Sequence, residues 1–308
     1  MSTQRSHGDG ILVIGAGELG GAVIAALARR EDAPDVTVLL RPSQSPHRTR
    51  LRDELTTRGV KIAEVDVATA TAPELAAVLS RFDTVVNCLG FAAGPGTQRR
   101  ITEAVLTAGV SRYIPWQFGV DYDAIGRGSP QNLFDEQLDV RDMLRAQDTT
   151  DWVIVSTGMF TSFLFEPDVG IVDLTTNTVN ALGSWDTAVT VTTPEDIGEI
   201  TAEVLQTRPR IANQVVFVAG DTITYRDLAD IVERVRTVPV RRNLWTVAHL
   251  LDDLARHPDD NLRKYRAVFA QGTGVAWPKA GTFNATRGIP TTTTEEWAHA
   301  HLSREAAS

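Results

Sequence analysis

This sequence predicts a doubly wound α/β fold, a parallel sheet with helices on both faces, and three observations predict it. Short apolar runs alternate with amphipathic stretches of helical period from residue 11 to about 157. The first run, Ile11–Ile14, breaks at once into Gly15-Ala16-Gly17-Glu18-Leu19-Gly20. An Ala-rich helical pattern, Ala22 to Arg30, follows without a gap. That order is what a bound dinucleotide requires. Gly15 turns tightly out of the strand, Gly17 lets backbone approach a pyrophosphate, and Gly20 lets helix and strand pack closely. The helix start, with Glu18 and Leu19, offers its N–H groups to the phosphates.

The elements follow in order. Strand-like runs are Ile11–Ile14, Val36–Leu40, Val60–Val65, Thr84–Cys88, Tyr113–Pro115 and Trp152–Ser156, with helical stretches near 18–30, 47–58, 72–81, 96–108 and 131–147 between them. Apolar strands joined by helices imply a sheet covered on both faces. After Thr157 the alternation weakens. Short polar strands near 170–182 and 187–192 mix with helices near 194–206, 225–236, 245–255, 258–270 and 294–303. The division expected is therefore a dinucleotide-binding domain over 8–157 and a smaller α/β lobe over 158–308. A strand near 213–219 returns to the first sheet, and the lobe closes over the carboxyl ends of the strands. Thr193-Pro194-Glu195-Asp196 reads as a helix start, with Asp196 in a capping role. Thr224 with Asp227 reads as a capping box.

Composition narrows the classes. The chain has 308 residues and a formal net charge of −9, which argues against a general nucleic-acid binder. The single Cys88 excludes an internal disulfide and a cysteine-rich metal site, and suits a reducing cytoplasm. No apolar run reaches a membrane span, and Met1–Gly10 lacks the apolar core of a signal peptide. None of the six histidines has convincing metal-ligand spacing, so no metal is expected. The partner expected is a small-molecule substrate; a homodimer is compatible with the sequence.

The second strand selects the cofactor. It ends Leu40-Arg41-Pro42-Ser43, with Arg41 where an NAD site carries the acid that bonds the ribose 2′-OH. A guanidinium there suits a 2′-phosphate, assisted by Ser43, and favours NADP(H) over NAD(H). Asp66-Val67 after the third strand is placed to meet the adenine, and Leu89-Gly90-Phe91 after the fourth to pass the nicotinamide ribose. Cys88 on an apolar strand reads as inert core.

Ser111-Arg112-Tyr113-Ile114-Pro115-Trp116-Gln117-Phe118-Gly119-Val120-Asp121 resembles the fifth-strand signature of the NmrA-like and isoflavone-reductase-like atypical short-chain dehydrogenases/reductases. Leu133-Phe134 and the helix that follows match the same family, as does Arg41-Pro42-Ser43. The resemblance is clear over about residues 10–165. It implies a Rossmann-type fold and an NADPH-dependent reductase, with Gln117 beside the cofactor and Trp116, Phe118, Met159, Phe160 and Phe163 lining an aromatic substrate wall.

Two departures stand out. The glycine loop lacks the family's usual double glycine. The lysine that plant reductases of this family use as general acid/base is replaced: Gln137 stands at its position, and no lysine lies between Lys61 and Lys264. The Tyr-x-x-x-Lys pair is absent too. Gln137 and Tyr122 are then the candidate catalytic groups, one polarising an acceptor oxygen and the other protonating it. Two functions remain open: an NADPH-dependent reductase of an aromatic or enone-like metabolite, and a non-catalytic NADP(H) redox sensor that regulates a protein partner.

Overall fold

The structure, a computed structural model, describes residues 8–90, 94–128 and 132–302. The first half alternates as expected: β1 (Gly8–Ile14), α1 (Glu18–Ala28), β2 (Val36–Leu40), α2 (Pro46–Thr57), β3 (Lys61–Glu64), α3 (Ala72–Leu79), β4 (Phe82–Asn87), α4 (Thr97–Ala108) and β5 (Arg112–Ile114). One short helix, α5 (Tyr122–Ile125), was not anticipated; α6 (Asp135–Arg145) and β6 (Asp151–Ser156) follow it. The remainder comprises β7 (Met159–Phe160), β8 (Val172–Asp173), β9 (Thr178–Leu182), β10 (Ala188–Thr192), α7 (Pro194–Gln206), β11 (Gln214–Phe217), β12 (Asp221–Thr224) and α8 (Tyr225–Arg236). It ends with β13 (Arg241–Trp245), α9 (Val247–Arg256), α10 (Asn261–Gln271), α11 (Phe283–Thr286) and α12 (Thr294–Leu302).

Local chemistry sets many of these boundaries. Ser45 caps α2, its hydroxyl accepting from the Arg48 N–H, with Pro46 as the first helical residue. Thr71 with Glu74 and Thr224 with Asp227 form reciprocal capping boxes on α3 and α8. The Thr193 hydroxyl accepts from the Asp196 N–H, as the sequence suggested, while the Asp196 carboxylate accepts from the Thr292 N–H at 2.9 Å. The helix expected from 258 begins at Asn261, because the Asp260 carboxylate accepts from the Leu262 and Arg263 N–H groups and sets the start there.

The chain divides into two compact units. The first takes the residues up to Gln117, then Asp139–Val155 and Ile197–Val215; the second takes Phe118–Leu138, Ser156–Asp196 and the residues from Val216. The chain passes between them more often than a single boundary at 157 implies. Neighbouring sheet strands β5, β6 and β11 are separated in sequence by segments that build the second unit.

In the first unit the sheet has the order β11-β6-β5-β4-β1-β2-β3. The strands β1 to β6 pair in parallel. The chain winds outward from β1 through β2 to β3, returns to β4 on the other side of β1, and continues outward. The crevice beyond the carboxyl ends of β1 and β4 is therefore the topological switch point, where ligands bind in such sheets. Leu12, Ile14, Leu39, Val85, Ile101, Tyr113 and Ile154 belong to the core of this unit. Its buried Arg112 donates to the Val204, Leu205 and Ile211 carbonyls and so ties the end of α7 to the start of β5. Burial, then Arg210 and Arg208, lowers the Arg112 pKa to about 10, so the guanidinium still carries its charge at neutral pH.

Tyr113 makes this core sensitive to alkali. Burial pushes its phenol up to about 12 from an ordinary 10.0. With the folded-state value above the unfolded one, its stabilisation is complete below pH 10 and is lost as pH rises through 12. The amplitude is about 3 kcal/mol for two units. Tyr113→Phe should lose less stability than the parent between pH 9 and 12 in denaturant titrations; parallel losses would show that Tyr113 ionises freely in the folded state.

The second unit holds two three-stranded sheets, β12-β10-β7 and β13-β9-β8, and a core that includes Phe134, Ile171, Val179, Tyr225, Leu228 and Phe269. β13 was missed in the sequence because Arg241-Arg242-Asn243-Leu244-Trp245 is mostly exposed and shows no apolar alternation; its partner is β9, in parallel. Asn284, which caps nothing by itself, is buried and grips Ala219 twice, accepting from its N–H and donating to its carbonyl. Among the described residues no helix is long and apolar enough to cross a membrane.

Candidate functional site

The glycine loop sits at the switch point, and each glycine meets a different constraint. Gly15 has φ of +91°, a left-handed conformation that a side chain resists. A Cβ on Gly20 would lie 2.1 Å from the Gly15 carbonyl oxygen, so the first turn of α1 packs directly on the loop. A Cβ on Gly17 would meet nothing within 4 Å. The loop is thus tight on either side of one open position, and that open position is the cap of α1. Helix N-terminal N–H groups and the helix dipole favour an anion there. Glu18 is exposed and Leu19 buried at the start of this helix.

Arg41 lies exposed at the end of β2, its Nε 3.9 Å from an Asp66 carboxylate oxygen. An exposed pair at that distance contributes at most about 1 kcal/mol, so a phosphate can displace it. The Ser43 hydroxyl accepts from the Ser45 N–H and so shapes the turn into α2 beside Arg41. Asp66 also accepts from the Ala68 N–H, and Val67, a core residue, offers its carbonyl to Arg100 together with Ala68 and Ala70. Arg100 therefore holds the loop that the sequence assigned to the adenine.

The loop after β4 is fixed by a closed ring of amides. Asn87 Nδ2 donates to Gln98 Oε1 at 2.8 Å, Gln98 Nε2 donates to the Leu89 carbonyl at 2.8 Å, and the Leu89 N–H donates to Asn87 Oδ1 at 3.0 Å. Both side chains are buried. Gln98 carried no sequence signal; it lies in the first turn of the amphipathic α4. Gly90 lies under Trp116, where an added Cβ would be 3.1 Å from the indole. Phe91 falls outside the described residues. Cys88 is half-buried, and desolvation pushes its thiol well up, which keeps it protonated at neutral pH. Gln117, fully buried, accepts from Arg141 Nε at 2.7 Å, and Arg141 is a second residue that the sequence did not single out.

The remaining candidates belong to the second unit. Gln137 is fully buried at the start of α6, and its N–H donates to the Phe134 carbonyl. Tyr122 packs on Phe134 with ring centroids 5.0 Å apart. Its hydroxyl lies against Gly119, where a Cβ would be only 2.5 Å away. Phe118 and Met159 are buried, whereas Phe160 is half-buried and Phe163 exposed. Phe160 and Phe163 meet edge to face at 5.9 Å.

This arrangement has known counterparts. A model of the NmrA-like family matches residues 8–275. The chain belongs to the NmrA-like family. An NmrA-like family domain-containing oxidoreductase of Gibberella moniliformis (strain M3125 / FGSC 7600) is 46% identical over 296 residues, covering 94% of this chain and 97% of that protein. Among solved structures, an isoflavone reductase is similar with a TM-score of 0.79 at 18% identity, over 95% of this chain and 99% of that one. The binary complex of leucoanthocyanidin reductase with NADPH from Vitis vinifera has a TM-score of 0.76 at 19% identity, over 93% and 97%. At those identities the likeness establishes the fold that this NmrA-like chain shares with reductases.

Proposed function

We propose that the protein is an NADP(H)-dependent reductase of a small aromatic or enone-like metabolite. The observation that carries the reading is the glycine loop, open only above Gly17, on the same sheet as an exposed Arg41 at the end of β2. Gly15, Gly17, Glu18, Leu19 and Gly20 would hold the pyrophosphate, and Arg41 with Ser43 the 2′-phosphate. Asp66 and Val67 would border the adenine. Leu89, Gly90, Phe91 and Gln117 would border the nicotinamide ribose. The similar oxidoreductase of Gibberella and the NADPH complex of leucoanthocyanidin reductase support this assignment.

The nicotinamide, when bound, supplies the hydride. The chain's own part is to orient the acceptor and meet the charge that develops on its oxygen. The Gln137 amide donates a neutral hydrogen bond to that oxygen, and the Tyr122 hydroxyl supplies the proton. Trp116, Phe118, Met159, Phe160 and Phe163 provide apolar surface for a flat substrate. A second reading, an NADP(H)-binding sensor without turnover, is favoured by one feature: an amide that cannot titrate stands where the family's catalytic lysine is expected.

Calorimetric titration with NADPH, NADP+, NADH and NAD+, followed by NADPH oxidation with quinone and enone acceptors, separates the readings. A reductase binds both redox states of the phosphorylated cofactor and consumes NADPH in proportion to acceptor. A sensor discriminates between the redox states and consumes none. In the reductase, Gln137→Ala should lower kcat by about 100- to 1000-fold with NADPH affinity unchanged, the range for loss of an oxyanion donor. Unchanged turnover would move that role to another residue.

A further inference from the structure

The sequence pointed to Phe160 and Phe163 as substrate wall but offered no cation to accompany them. The structure brings a third element to the same place. α10 carries Leu262, Tyr265 and Phe269 at helical spacing along one face. Phe269 is fully buried and anchors the row; Tyr265 packs on it with ring centroids 4.4 Å apart and planes tilted by 34°. Tyr265 in turn meets Phe163 at 6.2 Å, and Phe163 meets Phe160 at 5.9 Å. The row therefore runs outward from the core to solvent. Phe163 at its outer end is 37% exposed, and Leu262, one turn before Tyr265 on α10, is 39% exposed, two of only three large apolar side chains so exposed among the described residues. An aromatic row that opens to solvent offers an apolar face to a flat ligand.

Charge at the same place is unbalanced. Three cations lie in succession on α10, and two are committed. Arg263 pairs with Asp253 and Asp260. Arg266 donates to the Asp168 and Val169 carbonyls and lies over the Trp245 ring. Between them, Lys264 donates to the neutral side-chain oxygen of Asn132 at 3.0 Å, and among the described residues no carboxylate is within ion-pair range of it. Asn132 lies two residues before Phe134, in the segment that leads into α6 and Gln137. The other two lysines have fixed partners: Lys61 pairs with Asp35, and Lys279 donates to the Gly220 carbonyl. Lys264 directly precedes Tyr265 on α10, and in a chain of net charge −9 an ammonium without a carboxylate partner, one residue from an aromatic row that reaches solvent, complements a ligand that carries both features.

We propose that Phe160, Phe163 and Tyr265 with Lys264 form a specificity surface for a planar aromatic compound bearing a carboxylate, the rings receiving the aromatic face and the ammonium the acid. This rests on the small-molecule reductase reading and deepens it: it names the acidic aromatic class as the preferred substrate. Tyr265 serves as a neutral surface. Burial, and next the Tyr122 and Tyr225 phenols, hold it protonated well above the ordinary tyrosine range, so it does not repel an acid.

The test compares two probes of nearly equal shape, 2-naphthoate and 2-naphthalenemethanol, by calorimetry on the full chain with and without NADPH. The parent should bind the acid about fivefold more tightly, the scale of a partly exposed ion pair. Lys264→Met should abolish that preference while the affinity for the alcohol stays the same, and Lys264→Arg should restore most of it. Phe163→Ala should weaken both probes alike. Equal binding of the two probes by the parent, or a preference that survives Lys264→Met, would overturn the proposal. Its fate is separate from that of the reductase reading: a carboxylate preference without NADPH consumption upholds this surface and removes the reductase, and NADPH consumption without the preference does the reverse.

Discussion

Gly17→Ala and Gly20→Ala, only three positions apart, are expected to fail in opposite ways. Gly20→Ala should lower the melting temperature sharply, because its methyl would be placed 2.1 Å from the Gly15 carbonyl oxygen. That neighbour is backbone, and it cannot swing aside: Gly15 is held by its N–H to the Leu39 carbonyl and by a left-handed φ. Overpacking of this kind costs about 1–3 kcal/mol, and more when backbone must move. Gly17→Ala should leave the melting temperature nearly unchanged. Its methyl would enter open space, its φ of −74° is one that alanine adopts, and exchanging a glycine cap for alanine costs a helix less than about 1 kcal/mol, since no side-chain cap bond is lost. The same methyl would stand where the pyrophosphate must approach, so NADPH affinity should fall by an order of magnitude or more, about 10- to 100-fold. Thermal melts paired with NADPH titration check both arms. NADPH affinity retained in a folded Gly17→Ala protein would remove the loop from the binding site.

Arg41→Ala should weaken NADPH by about 1–3 kcal/mol, the strength of a charge-assisted hydrogen bond, and leave NADH nearly unaffected. The fold should not notice the change, since Arg41 is exposed and its pairing with Asp66 is long at 3.9 Å. The NADPH advantage should also shrink as salt is raised, because an exposed phosphate contact is screened over about 10 Å at 0.1 M. Equal losses for both cofactors in calorimetric titrations would mean that Arg41 supports the loop and does not read the phosphate.

These two predictions draw on features that were legible in the sequence. The alternation of apolar runs and helical patterns identified β1 to β6 and the helices between them except the short α5. The spacing of Gly15, Gly17 and Gly20 after a strand indicated which glycine must be tight and which open. Capping residues such as Thr193 and Thr224 announced their helices. The second half was read less well. β13 displays its polar side chains to solvent and lacks a period-two signal, so the helix expected near 245 was recognised but the strand before it was not.

The sequence by itself determined local backbone character: where strands and helices lie, where the chain must turn, and that a cation ends β2. Each of these follows from a pattern a few residues long, because hydrogen bonds in helices and turns and side-chain alternation in strands act over that distance. Only the tertiary structure decided which distant groups meet. The Asn87–Gln98 and Gln98–Leu89 bonds, the Gln117–Arg141 contact and the Lys264–Asn132 contact join residues 9 to 132 positions apart. Such pairs leave no periodic trace, since the approach of two segments depends on the packing of everything between them. Lys264 was therefore visible only as a scarce residue late in the chain, until folding of the second unit brought Asn132 to its ammonium and Phe163 to its neighbour Tyr265.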